Sequence, residues 1–270
     1  MTKASSISPS PSMITLDHVH LAMPSKAGVV NILNDVSLTI EKGETVAMLG
    51  PSGAGKTTAM MVMAGLEAIT QGRITVAGHD LMQQDEDRLA EIRRAHIGII
   101  FQAFRLIPSM TALENVAIPL ELDSTSDAFA RATEALKNVG LGHRLDHFPD
   151  QLSGGEQQRV AIARAIVTGP DILLADEPTG NLDQATGGEI MDLLMETAKT
   201  YNTSLVLITH DESLATLCSR VVRIADGTVA SDSKSARKPV KKSAKKSSGK
   251  TSAGKRASTA KNPSAKGNKS

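Results

Sequence analysis

The sequence predicts an α/β fold organised around a mainly parallel sheet, and three observations predict it. A short apolar run, residues 44–49, drives straight into Gly50-Pro51-Ser52-Gly53-Ala54-Gly55-Lys56-Thr57, and a helix-forming stretch follows at once. Between residues 160 and 225, strand-length apolar runs alternate with helix-length stretches, a pattern that brings successive strands back parallel. The chain of 270 residues has room for a large core, yet only 2% of it is aromatic. That core must therefore be aliphatic, with methionine as filler.

In chain order, residues 13–21 and 36–40 read as β segments around a turn region at 24–28, and residues 44–49 form the strand before the glycine-rich loop. The early segments make an N-terminal antiparallel β subdomain. Residues 56–66 follow as helix, with Met60, Met61 and Met63 filling core, and residues 73–76 and 97–101 are further strands. From 103 to 150 the pattern turns helical. Phe129, Ala132, Leu136 and Val139 recur at helix spacing and Gly140-Leu141-Gly142 ends the run. A helix opening at Leu152-Ser153-Gly154-Gly155-Glu156-Gln157-Gln158-Arg159 continues through Val167 and stops at Gly169-Pro170. Strand 172–175, helix 185–198, strand 204–209, a short segment 213–217 and strand 221–225 complete the alternation. The helical stretch of about 103–165 is an inserted subdomain.

Composition narrows the class. The single cysteine, Cys218, excludes an internal disulfide framework, suits a reducing compartment and reads as a small buried apolar side chain. Residues 1–12 are Ser- and Pro-rich with no apolar h-region, so they read as a disordered N-terminus and not as a secretory signal. No apolar run approaches the ~18 residues of a membrane span. The net charge of +1 conceals a division. Residues 231–270 carry thirteen Lys and Arg against one acid, Asp232, for a net +12, and residues 1–230 carry −11. This tail has no apolar residue larger than Val240, so it is expected to stay disordered, with the folded domain at 13–230.

The loop at 50–57 fits the G-x-x-x-x-G-K-[ST] pattern in its strand–loop–helix context. The loop residues Gly50, Pro51, Ser52, Gly53, Ala54 and Gly55, with Lys56, Thr57 and Thr58, cradle nucleotide phosphates, through backbone N–H groups at every position but Pro51. Lys56 supplies charge to the β/γ oxygens and Thr57 sets a hydroxyl on Mg²⁺. The strand 172–175 ends in Asp176-Glu177, which places two carboxylates at the C-terminal edge of the parallel sheet beside that loop. Ser153, Gly154 and Gly155 are a second set of small residues opening a helix, where backbone N–H groups favour an anion.

A phosphate loop followed about a hundred residues later by LSGGEQQR resembles the ATP-binding-cassette ATPases, whose P-loop NTPase core has the fold described above. Asp176-Glu177-Pro178-Thr179-Gly180-Asn181-Leu182-Asp183 matches the same family, and the match runs in family order from about 14 to 230. The resemblance implies ATP and Mg²⁺, and a homodimer with ATP sandwiched head to tail between the two motifs. It implies that Asp176 holds Mg²⁺ through its waters, that Glu177 activates the attacking water, and that Gln102 touches the Mg²⁺/water shell. His210 takes the switch position against the γ-phosphate, and Asp183 crosses the interface. Ser153, Gly154 and Gly155 then contact the γ-phosphate of the ATP held by the partner copy. One departure stands out. The family stacks adenine on an aromatic upstream of the loop, but residues 1–100 contain no Phe, Tyr or Trp. Met23 falls near that place, with His18 and His20 the nearby rings; these two and His79, His96, His143 and His147 are expected on the surface or in loops.

The stretch 102–116 and the DEPTGNLD loop resemble the branch that contains the LolD, MacB and FtsE cassettes; residues 144–149 and the missing aromatic resemble YbbA-type members. This implies a separate integral-membrane permease with four spans per subunit, docked beside Gln102 and the helical insert. The cassette would sit peripherally on the cytoplasmic face of the inner membrane. Two alternatives remain open: an FtsE-like regulatory ATPase that transports nothing, and a soluble nucleic-acid-associated ATPase, suggested only by the basic tail. The tail's charge suits anionic lipid or nonspecific nucleic acid equally.

Overall fold

A computed structural model describes residues 12–26 and 28–234, so the expectations for residues 1–11 and 235–270 lie outside the described residues. Two sheets make the frame. The first is antiparallel, with strand order β2-β1-β4-β5, from β1 (Ser12–Ser25), β2 (Gly28–Glu41), β4 (Gln71–Val76) and β5 (His79–Asp80). The N-terminal segments, expected as separate short strands, are one long hairpin: β1 pairs with β2 from Ser12 opposite Glu41 to Ser25 opposite Gly28, with several register shifts.

The second sheet has the order β10-β9-β3-β8-β7-β6, using β3 (Thr45–Leu49), β6 (Ile97–Ile100), β7 (Ile172–Asp176), β8 (Ser204–Ile208), β9 (Arg220–Ala225) and β10 (Thr228–Lys234). The strands from β9 to β6 are parallel, and β10 is an antiparallel edge. Both faces are covered, so its central strands are apolar on both faces between their polar ends at Thr45, Ser204 and Asp176. Val46 and Met48 of β3, Ile172 and Leu174 of β7 and Val206 and Ile208 of β8 pack toward the antiparallel sheet and α1 (Lys56–Met63). Their neighbours Ala47, Leu49, Leu173, Ala175, Leu205 and Leu207 pack toward the helical insert and α6 (Gln184–Tyr201). Met60 and Met63 are fully buried between the two sheets, as filler should be.

Three expectations need correction. The folded domain does not end at 230, because β10 continues to Lys234. Asp226 and Gly227 are both left-handed (φ 48° and 73°), the geometry of a tight hairpin turn, and an Asp-Gly pair is the sequence signal for it. Asp232, counted above as a tail acid, takes a fork of two hydrogen bonds from Arg220 at 2.6 and 2.5 Å. Arg220 also reaches Glu44 and the Thr39 carbonyl of β2, tying the end of β10 to both sheets. Second, residues 86–96 form α2 (Glu86–His96), which no strand or helix was assigned to cover. Only Ile92 is buried on it, so apolar periodicity is silent there. Its charges were the available signal: Asp85 caps Arg88 N–H, acids fill the first turn, and Arg93, Arg94 and His96 fill the last.

Third, the insert is made of α3 (Ala112–Glu121), α4 (Ala128–Asn138) and α5 (Gly154–Ile166), and the buried stripe of α4 is Ala128, Ala132 and Leu136. Phe129, one step off that stripe, is exposed. Asn115 on α3 is fully buried and organises the approach to the insert: its amide accepts from Ile107 N–H and donates to the carbonyls of Ile107, Met110 and Thr111. A short helix α7 (Glu212–Ala215) follows β8.

Candidate active site

Strand β3 delivers the chain into the loop at the C-terminal edge of the parallel sheet. Gly50 must be glycine because a Cβ would stand 2.2 Å from the Ile224 carbonyl oxygen of the adjacent strand β9. Gly53 and Gly55 take φ of 80° and 96°, backbone that L side chains rarely adopt. Gly55 caps α1 without a side chain, so the first N–H groups of that helix face the loop. Lys56 is buried and folds back over the loop, donating to the carbonyls of Gly50 (2.9 Å) and Pro51 (2.8 Å). The loop is also fastened from outside, since Gly227 N–H donates to Ala54 O.

Opposite, β7 ends at Asp176. Thr57 Oγ1 donates to the Asp176 carboxylate at 3.1 and 3.3 Å, which joins α1 to β7 across the edge of the sheet. Burial pushes the Asp176 carboxyl above the usual range; the Thr57 hydrogen bond opposes this, the Glu177 charge adds to it, and the charges of Lys56 and Arg105 pull the other way. Glu177 turns sharply out of the strand with φ 42°, its N–H donating to Ile208 O. Its Oε1 accepts from His210 Nδ1 at 3.1 Å, pairing the ends of β7 and β8. Gln102 leaves β6 toward the same place. Its carbonyl accepts from Asn181 Nδ2 at 2.7 Å, and its Nε2 lies so close to Gly180 that a Cβ there would stand 2.8 Å away.

These pieces enclose a cleft of about 670 Å³ lined by Ser52, Gly53, Gly55, Lys56, Thr57, Thr58, Gln102, Asp176, Glu177 and His210. Of the loop residues, Gly50, Pro51 and Ala54 do not line it and act on the loop's shape. The eleventh wall residue is Ile32 of β2, which nothing in the sequence signalled. Its carbonyl oxygen packs against Gly55 and Gly227, where added Cβ atoms would stand 2.8 and 2.4 Å from it. The rings considered for adenine are otherwise engaged: His18 Nδ1 bonds Asp35 at 2.6 Å, with its pKa raised by that hydrogen bond, and His20 Nδ1 accepts from Asp35 N–H. Met23 packs half-buried against the core opposite Val30.

The second motif lies apart, for Ser153, Gly154 and Gly155 do not line this cleft. Ser153 caps α5 in a reciprocal box: Glu156 N–H donates to its hydroxyl, and its own N–H and O–H donate to Glu156 Oε2 at 2.9 Å. Arg144 holds Glu156 Oε1 at 2.9 Å and donates to His147, so the segment 144–149 braces the cap. The backbone N–H of Ser153, first among the causes, draws the Glu156 carboxyl below its usual range. The glycines serve packing. A Cβ on Gly155 would meet Thr186 Cγ2 at 2.6 Å, and one on Gly154 would meet Leu182 Cδ2 at 3.3 Å. Asp183 is bound within its own chain, capping α6 through Ala185 and Thr186 N–H and the Thr186 hydroxyl, whose bond draws its pKa down.

A phosphate loop, a carboxylate pair at the sheet edge and a signature helix whose N-terminus lies outside the cleft define an ATP-binding cassette. The ABC transporter family matches residues 33–180, and the chain belongs to that family. It is 43% identical over 227 residues to the uncharacterized ABC transporter ATP-binding protein YbbA of Escherichia coli, covering 83% of this chain and all of that protein. It is 47% identical over 205 residues to the lipoprotein-releasing system ATP-binding protein LolD of Geobacter metallireducens, covering 75% and 91% respectively. Among solved structures it is similar to the cassette MJ0796 in a dimeric post-hydrolysis state bound to ADP and Pi. That match has TM-score 0.77 and 39% identity, over 82% of this chain and 98% of the other. The protein is thus an ABC ATPase of the LolD/YbbA type. No helix among the described residues is long and apolar enough to cross a membrane.

Proposed function

We propose that two copies of this chain close head to tail around two ATP molecules and drive a separate membrane permease of the lipoprotein-release or macrolide-export type. The observation that carries the reading is the separation of the two motifs: the cleft that gathers Lys56, Thr57, Asp176, Glu177 and His210 takes nothing from Ser153–Gly155 of its own chain. A second copy supplies that wall. MJ0796, similar over nearly its whole length, has a dimeric structure bound to ADP and Pi.

In this reading the loop amides and Lys56 bind the phosphates. Glu177, held by His210, takes the proton of the attacking water, and His210 turns to the γ-phosphate. Gln102 and its loop report on the occupied site. Thr57 Oγ1 and the Asp176 oxygens form a compact, all-oxygen, partly buried donor set that fits Mg²⁺ and would hold it beside the phosphates, with Gln102 at its water shell. The ion would neutralise charge on the transferred phosphoryl group.

The permease would engage this protein on the cytoplasmic face of the inner membrane, beside Gln102 and the helical insert, and a second, partly apolar groove away from both offers a further contact. Leu66 and Met82, each about half exposed, border a groove of about 300 Å³ that also includes Ile69, Leu81 and Leu89. Affinity capture from detergent-solubilised membranes is the test. A four-span membrane protein is expected to co-purify, and Leu66→Glu with Met82→Glu to lose it while ATP turnover in solution persists. Recovery of nucleic acid instead, with no membrane protein, would overturn the transport reading.

A further inference from the structure

The loop after Gln102 passes through two consecutive non-glycine residues in the left-handed region, Phe104 (φ 55°) and Arg105 (φ 50°). L-residues visit that backbone singly and rarely in succession, so the surroundings must hold this turn. One side chain meets both carbonyls: Arg164 donates Nη2 to Phe104 O at 2.9 Å and Nη1 to Arg105 O at 2.7 Å. A rigid planar fork suits two adjacent carbonyls in a way that a single ammonium does not. Arg164 is half-buried, and that burial, offset by no carboxylate among the described residues, lowers the pKa of its guanidinium. Holding this turn is therefore its principal polar engagement.

Arg164 lies on α5, whose N-terminus is the Ser153 cap, ten residues or about 15 Å along the helix from Gly154. The Phe104 ring reaches back to Gly154, where a Cβ would stand 4.0 Å from its Cζ. At the other end of the loop, Asn181 holds the Gln102 carbonyl. The segment from 102 to 105 is thus suspended between the signature helix and the loop that follows Glu177.

We propose that Arg164 is a positioning residue for ATP hydrolysis, locking the left-handed Phe104–Arg105 turn so that Gln102 moves with the helix carrying Ser153–Gly155. While both carbonyls stay bonded, the turn cannot relax to a right-handed one, and a shift of α5 is delivered to Gln102. The coupling part of this inference rests on the two-copy reading above.

The test is turnover and nucleotide affinity of Arg164→Gln in the full-length protein, each in three backgrounds: Arg105 kept, Arg105→Gly and Arg105→Ala. Arg164→Gln is expected to lower kcat about ten- to a hundred-fold while ATP affinity stays within about twofold. Arg105→Gly should restore at least about fivefold of that loss, because glycine takes positive φ freely, and Arg105→Ala, which removes the same side chain, should restore none. Equal response to glycine and alanine, or an unchanged kcat, overturns the proposal. If Arg164→Gln does not fold, Arg164→Lys carries the same comparison. Failure of the two-copy reading would be seen separately, as turnover independent of protein concentration, and would leave the contrast between glycine and alanine intact.

Discussion

The phosphate loop and the signature turn both set small residues at the start of a helix, but for different physical reasons. In the loop, Gly53 and Gly55 are needed for backbone that turns left-handed, and α1 begins with no side chain on its amides. In the signature, Gly154 and Gly155 are not left-handed; they are small because Leu182 and Thr186 press against them, and the Ser153 hydroxyl caps α5 by accepting from the Glu156 N–H. One region is a cradle shaped by its own backbone. The other is a plate bolted to α6 and Arg144, and it does not line the cleft of its own chain.

The largest effects should fall on the cradle side. Glu177→Gln is expected to reduce turnover by about 10²- to 10⁴-fold with ATP affinity retained, since water activation alone is lost. Lys56→Ala should instead weaken ATP binding, by about a hundredfold, as measured by fluorescence titration. On the plate side, Ser153→Arg should cut turnover about a hundredfold or more while each chain still binds ATP within about twofold. Loss of ATP binding in that variant would mean that the two regions are not separate.

Stability separates the two kinds of glycine. Gly155→Ala drives a Cβ into Thr186, whose hydroxyl is held by Asp183 at 2.6 Å and cannot swing away freely. It should cost about 1–3 kcal/mol in denaturant unfolding with little change in ATP affinity. Gly53→Ala meets nothing within 4 Å, so its cost is the left-handed backbone, about 1–2 kcal/mol, accompanied by weaker phosphate binding. A smaller effect is expected at the base. With Ile32 and no aromatic lining the cleft, ATP and GTP should compete within about tenfold of each other.

The smallest effect is one of pH. The Glu156 carboxyl is held below its ordinary value in the folded protein, so its stabilising contribution is present above pH 4.5 and is lost as pH falls through the lowered folded value. Glu156→Gln should therefore flatten the acid limb of the unfolding curve. Asp176, raised by burial, contributes with the opposite sign.

Residues whose chemistry is local were legible in the sequence. The loop and Asp176-Glu177 announce themselves by type and spacing, Gln102 and His210 only through the family resemblance, and the fold brings all of them to one cleft. The strands of the parallel sheet were legible because burial on both faces leaves uninterrupted apolar runs. What escaped depends on neighbours distant in sequence. Ile32 enters the cleft through a hairpin whose length no period revealed, and α2 buries one residue. The Arg164 fork joins positions 59 and 60 residues apart, so no local pattern could announce it. Gly155 was read as a bare amide, and its contact with Thr186 appears only when α5 and α6 are packed together.

The separation of cradle and plate is tested most directly by the mass of the ATP-loaded Glu177→Gln protein in sedimentation equilibrium. A chain of 28.4 kDa should sediment at twice that mass with ATP, and adding Ser153→Arg should return it to a single chain that still holds nucleotide. A Glu177→Gln protein that stays a single chain when saturated with ATP, beside a parent that hydrolyses ATP at a rate per chain independent of concentration, would contradict the account.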